Sequence, residues 1–194
     1  MISSMLMLGS TMAWFQDSKV VINTYTFGKL DVDIMHQNTD GQIVSATAVS
    51  FKKCYAPGGL YREGEFLFEP GATFQLEDIY IKNSGDVPLK YKLEVDTNGV
   101  TYTGERNLLD AMDIYMKMDS EMVSGDTPQT LEAGATSQAV QIFLHMQESA
   151  SNEYQDLTVS GAVVKVIAVQ GEGIPDAELE SAFTQAGASA ASGS

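Results

Sequence analysis

FEPGATFQLEDIYIKNSGDVPLKYKLEV, running from Phe68 to Val95, carries the pattern that decides the fold. Pro70 and Gly71 mark a turn at its start, because proline fixes φ and glycine accepts the positive φ that many turns use. Phe74 and Leu76 then alternate with polar neighbours, the phase slips at Glu77 and Asp78, and alternation resumes at Ile79 and Ile81. One inserted bulge residue produces such a slip. Asn83, Ser84, Gly85, Asp86, Val87 and Pro88 form a cluster of turn formers, after which Leu89, Tyr91, Leu93 and Val95 oppose Lys90, Lys92 and Glu94. The stretch reads as a hairpin of two strands, each with one buried and one wet face, joined by a tight polar turn. Strands of this kind build sandwiches and barrels.

Toward the N-terminus, Trp14 to His36 is dense in β-branched and aromatic residues and divides into two strands, with Val20 and Ile22 on one phase of the first and Gly28 as a hinge into Leu30, Val32 and Ile34. Asp31 and Asp33 share a solvated face, two carboxylates being too few for calcium. Met1 to Ala13 is uncharged, rich in Met and Leu, and ends in Thr11, Met12 and Ala13, small residues at positions a signal peptidase reads. It is either the end of a secretory signal or an apolar N-terminal strand. From Gln37 to Glu69, breaks at Gly41, Pro57, Gly58, Gly59 and Gly64 suggest an elaborated loop or hairpin, with Tyr55, Leu60, Tyr61 and Phe66 as a satellite cluster beneath it.

Toward the C-terminus, Asn107 to Met112 is a short helix candidate, followed by an alternating strand at Ile114, Met116 and Met118. Gly125 to Gly134 reads as loop, and Val140 to Met146 as a further strand. Leu157 to Gln170 is apolar on both phases, so it belongs inside a sheet with both faces covered or changes partners part-way. Residues 171–194 read as a short helix that starts at Pro175 and Asp176 and runs through Glu178 to Gln185, and a flexible low-complexity tail from Gly187. The expected organisation is therefore a residual signal segment (1–13), one β domain (14–170) and this terminal segment (171–194).

The net charge of -15 over 194 residues repels phosphate backbones and anionic lipid, which argues against nucleic acid as a partner and against stable membrane insertion once the first residues are removed. Cys54 is the one cysteine, so no internal disulfide forms. Flanked by lysines in the expected loop, it is either a lone thiol or an intermolecular bridge. Enzyme signatures are missing: there is no HExxH, GxSxG or glycine-rich phosphate loop. His36 and His145, more than a hundred residues apart, read as structural strand residues, and the ten methionines as core filler. No catalytic residue, metal ligand or cofactor is assigned.

Four features together resemble the TasA/camelysin family of secreted bacterial proteins. Ala13, Trp14, Phe15, Gln16 and Asp17, followed by Asn23 to Leu30 (NTYTFGKL), are similar to the family's processing junction and first strand. Glu69, Pro70 and Gly71, with Ile81, Lys82, Asn83, Ser84, Gly85 and Pro88, resemble its PG turn and V-K-N-x-G-x-x-P element. Leu131, Ala133 and Gly134 stand where an L-x-P-G is usual, with alanine for proline, and Asn152, Glu153, Tyr154 and Gln155 match N-x-Y-Q before a final strand closing at Ala168, Val169 and Gln170. The resemblance spans Thr11 to Gln170, and Cys54 to Gly64 has no counterpart in it.

The resemblance implies an all-β, jelly-roll-like β-sandwich with short helices in its connections. It also implies a structural role outside the cell, as the subunit of an extracellular or biofilm matrix fibre. Cleavage after Ala13 would free Trp14 to Ile22 as a donor strand, anchored by Trp14, Phe15, Val20 and Ile22, that adds to the sheet of the next subunit. Self-association, together with other matrix proteins, would then be the principal interaction. The residues themselves leave a second option open, in which Val20 to Phe27 is the first strand of its own sheet. A monomeric surface module binding through the loop at Cys54 to Tyr61 is the competing function. Camelysin is classed as a metallopeptidase, an activity not carried over because no metal-binding motif supports it.

Overall fold

A computed structural model describes residues 14–15, 19–26, 30–38, 40–62, 69–98, 100–154, 157–160, 162–171 and 173–191. In chain order the strands are β1 (Trp14–Phe15), β2 (Lys19–Thr26), β3 (Val32–Gln37), β4 (Ile43–Ser45), β5 (Ala48–Tyr55), β6 (Tyr61–Arg62), β7 (Thr73–Leu76) and β8 (Ile79–Asn83). They continue with β9 (Leu89–Asp96), β10 (Thr101–Tyr102), β11 (Met112–Met118), β12 (Glu121–Val123), β13 (Gln129–Leu131), β14 (Val140–Met146), β15 (Thr158–Ser160) and β16 (Val163–Gln170). A C-terminal helix, α1 (Asp176–Ala191), follows. The fold is mainly β, with mostly antiparallel strands in two sheets, the larger curled strongly into a half-barrel. The larger sheet runs β13-β9-β16-β2-β5-β7-β14-β8-β3-β4, with β11, β12 and β6 attached, and the smaller runs β1-β15-β10.

The phase slip at Glu77 and Asp78 is a bulge. Against β14, Gln75 pairs with Phe143 and Ile79 with Val140, so four steps along one strand face three along the other. The extra residue turns the strand, and Phe74, Leu76, Ile79 and Ile81 all end up fully buried. Glu77 caps the bend by accepting the Ser50 amide at 2.9 Å on Oε2, while its own amide donates to the Ser50 carbonyl at 2.8 Å. The turn before β7 also takes the expected form, with Gly71 at φ +83°.

The expected hairpin does not form. β8 pairs with β3 and β14, whereas β9 pairs with β13 and β16, so the polar turn carries the chain across the core instead of folding it back alongside itself. Both strands bury one face, Ile79 and Ile81 from one and Leu89, Tyr91 and Leu93 from the other, in the same apolar cluster. Alternation records burial but not the partner. The crossing is held by Asn83, only 1% exposed, whose Nδ2 donates to the carbonyls of Val87 (2.8 Å), Glu132 (3.1 Å) and Leu131 (3.3 Å) while its Oδ1 accepts the Gly85 amide (3.0 Å).

Other expectations are corrected in the same way. The segment from Gln37 to Glu69, read as a loop or hairpin, contains β4, β5 and β6, and β5 is the link that joins the two halves of the large sheet. Its residues Lys19-facing at Ser50 and Val20-facing at Val49 pair with β2, and Phe51 to Tyr55 pair with β7 after a register shift between Phe51 and Lys53. Cys54 therefore lies buried inside a strand, not in a loop. Leu60 and Tyr61 are exposed at 73% and 55%, so the satellite cluster reduces to an edge-on Tyr55–Tyr61 contact, and Phe66 falls outside the described residues. Gly125 to Gly134 includes β13, which pairs with Leu89 to Tyr91.

The expected helix after Asn107 is one 3-10 turn from Leu108 to Ala111, with the Asn107 side chain accepting the Leu109 amide at 3.1 Å. The long apolar stretch changes partners part-way: β15 belongs to the small sheet and β16 to the large one. Helix α1 runs to Ala191 and so absorbs residues read as a tail, since Ala186, Ala188, Ala190 and Ala191 have the highest helix propensity of any residue and offset Gly187.

Tyr91 and Tyr115 supply a pH test of this packing. Burial pushes both phenols above the ordinary 10.0, opposed at Tyr91 by a hydrogen bond with Ser137 and reinforced at Tyr115 by the nearby Tyr55. The folded chain thus holds these protons to higher pH than the unfolded chain does. Their contribution is intact below pH 10.0 and is lost as pH rises through the folded-state values. Urea midpoints measured at about pH 9 and about pH 11 should fall between the two, and by less in Tyr91→Phe.

Candidate functional site

The N-terminal strands occupy an unusual place. β2 is an inner strand, running parallel to β16 over Val21 to Thr26 and antiparallel to β5 over Lys19 to Val21. Upstream, β1 lies parallel to β15. The N-terminal segment thus follows the last strands of the chain, from Trp14 against Thr158 to Thr26 against Ala168. Of the four anchor residues, Trp14 pairs with Thr158, Phe15 with Val159, Val20 with Val49 and Ile22 with Val164. In this single chain they lie in its own sheets: Val20 and Ile22 in β2, as the option of a first strand from Val20 anticipates, and Trp14 and Phe15 in the separate β1 of the small sheet. Residues 1–13, including the candidate cleavage point at Ala13, lie outside the described residues.

The neighbours of β2 explain its setting. Val164, Val166 and Ala168 are fully buried in the main core, whereas Ile167 and Val169 point to the opposite side, where α1 covers them with Leu179, Phe183 and Ala186. Both phases of β16 are therefore apolar because both faces are covered. Lys165 is the exception in that stretch, and its ammonium pairs with the Asp96 carboxylate of β9. This contact is the principal reason the Asp96 carboxyl lies below the ordinary carboxylate range. A lone lysine in a stretch of fourteen residues with no other charge is the sequence signal for that pair.

All the hydrogen-bonding partners of β2 come from segments distant in sequence. A strand of identical sequence from a second chain would meet the same groups in the same register, which is the condition for exchange between copies. The arrangement offers main-chain pairing on both edges of one inserted strand.

The remaining candidates do not converge. His36 lies on β3 with Nδ1 3.6 Å from Glu77 Oε2, and His145 on β14 with Nδ1 2.9 Å from Thr73 Oγ1. Asp33 accepts from the Ser84 hydroxyl at 2.8 Å, and Asp31 is exposed. Among the described residues no three His, Cys, Asp or Glu side chains gather where they would hold a metal ion, and no helix is long and apolar enough to cross a membrane. The Cys54 to Tyr61 segment is a tight hairpin between β5 and β6, turning through Gly58 and Gly59 at φ +81° and +84°. It presents Leu60 and Tyr61 to solvent. No protein-family model matches the chain, and comparison with curated proteins gives no significant match.

Proposed function

We propose that this chain is a secreted structural protein, the subunit of an extracellular or biofilm matrix fibre, assembled by donation of its N-terminal strand to the next copy. The observation that supports this reading is that β2 pairs only with segments distant in sequence, with β16 over Val21 to Thr26 and with β5 over Lys19 to Val21, so that the same strand of another copy would find the same partners. Exchange between copies preserves every one of those pairs, so its equilibrium cost is small, and repetition head to tail does not close. On this reading the curled sheet is a jelly-roll-like sandwich in which the place held by the chain's own β2 is taken by the β2 of the next copy. The resemblance of Ala13 to Asp17 and Asn23 to Leu30 to the TasA/camelysin junction points the same way, as does the acidic surface of a protein working outside the cell.

The test is electron microscopy of the chain beginning at Trp14. Filaments are expected, more readily as pH falls, because neutralising carboxylates relieves the mutual repulsion of subunits carrying -15. Deleting Trp14 to Val21 should leave soluble monomers. A cysteine pair, Val20→Cys with Val49→Cys in a Cys54→Ala background, reports the exchange directly, since directly opposed antiparallel residues lie within disulfide reach. Oxidised filaments should give a ladder of linked chains, and oxidised monomers only intrachain links. Persistence of monomers from the Trp14 chain at every pH and salt concentration would defeat the proposal.

The second reading is a monomeric surface module that binds a carbohydrate or protein through the β5–β6 hairpin. Its supporting observation is the exposure of Leu60 and Tyr61 at the tip. Loss of binding on Leu60→Ser with Tyr61→Ser, with no effect on assembly, would favour it.

A further inference from the structure

Helix α1 lies against both β16 and β2, on the face opposite the main core. Its inner surface is a small separate apolar cluster of Leu179, Phe183 and Ala186 over Val169, with Ile167, Ile174 and Ala182 at its border. One side chain fastens the helix to the sheet. Lys92, on the neighbouring strand β9, is only 12% exposed, reaches Glu180 at 2.6 Å and lies 5.0 Å from the centre of the Phe183 ring. An ammonium held between a carboxylate and an aromatic face is desolvated and directional, and its long stem adds apolar contact. The helix thus crosses three consecutive strands of the sheet, β9, β16 and β2, with β16 in the middle and β5 beyond β2.

This placement has a mechanical meaning. β2 is held on one edge by β16 over Val21 to Thr26 and on the other by β5 over Lys19 to Val21, and the main core lies on the inner side of its neighbour β16. Outward is the remaining direction, and α1 covers it. We propose that α1 is a strap that retains the N-terminal strand in its own sheet, so that lifting the helix is the step that frees the strand. The strap concerns the same strand as the fibre proposal and supplies its regulation. Agents that loosen α1 without unfolding the core, such as cleavage between Gly171 and Asp176 or competition for Lys92, would release the strand.

The test is amide hydrogen exchange on the full chain from Trp14, kept monomeric at low concentration, comparing the parent with Phe183→Ala and Glu180→Ala. Phe183→Ala empties the centre of the small cluster, and exchange of the Lys19 to Thr26 amides should rise by about tenfold or more while Ile142 to Leu144, in the main core, stay unchanged. Glu180→Ala, a substitution at a surface position, should raise the same amides by roughly twofold to fivefold, consistent with a partly exposed ion pair. Equal acceleration across all strands, or none in β2, overturns the strap. The cysteine pair separates this result from the fibre proposal. Linked ladders should appear sooner in Phe183→Ala, whereas selective β2 exchange with no ladder in any variant would remove the fibre and leave the strap standing.

Discussion

Asn83→Ala lowers the stability of the folded chain by about 3 kcal/mol, read as a drop in the urea midpoint with an unchanged slope. The side chain is buried and bonds four backbone groups, three carbonyls through Nδ2 and the Gly85 amide through Oδ1. Those carbonyls come from two places, Val87 in the turn and Leu131 and Glu132 after β13, so the amide ties the crossing turn to the edge of the sheet. Alanine leaves them without this partner, and each buried unpaired group costs about 1–3 kcal/mol. Asn83→Asp is no remedy, because a carboxylate would face three carbonyl oxygens. A loss under about 1 kcal/mol for Asn83→Ala would mean that the crossing is held by the apolar strands alone.

Phe74→Ala has the larger effect, about 3–5 kcal/mol, the range for truncating a fully buried aromatic side chain. Phe74 has no exposed surface, meets Phe51 edge to face at 6.0 Å, and pairs with Leu144 on one side and Cys54 on the other. Its neighbours are strands fixed by their own ladders, so the cavity cannot collapse. For a domain of this size the thermal midpoint should fall by roughly 10 °C. Phe74→Leu, which keeps most of the volume, should cost about 1–1.5 kcal/mol. Similar losses for the two variants would show that ring packing is not what the site requires.

The contrast between these two residues explains what the sequence disclosed. Phe74 was legible, since its alternation with Gln75 and Leu76 and the slip at Glu77 describe one strand bent by one residue. Asn83 was read as a turn former, which it is, but nothing local says whether a turn returns a strand to its neighbour or carries it across a core. That choice depends on β3 and β14, more than forty residues away in either direction. β5 was missed for a different reason. Its register shift between Phe51 and Lys53 puts buried Val49 and buried Cys54 on opposite phases, so no period of two survives across the strand. Of the candidate site, only the strand character of Trp14, Phe15, Val20 and Ile22 was legible, from the density of β-branched and aromatic residues, and not that Trp14 and Phe15 form a strand of a different sheet. Their partners at Thr158, Val159 and Val164 were not foreseeable, because parallel pairing leaves no turn in the sequence between the paired strands, and Val49 was hidden because β5 itself carries no period of two.

The pairing of β2 with β16 also sets the order of folding. Val21 and Val163 are separated by roughly 140 residues, among the most distant contacts the chain can make, and closing so long a loop carries a large entropy cost before any pairing offsets it. Local units such as the β11–β12 turn can close early, and Lys19 to Val21 can join β5, but Val21 to Thr26 have no β16 edge to join until that last strand has been made. During that interval most of the strand lacks its β16 partner, at the moment when other newly emerged chains are nearby. Kinetics and concentration, acting before the native monomer is complete, therefore influence whether the strand closes on its own chain or on a neighbour.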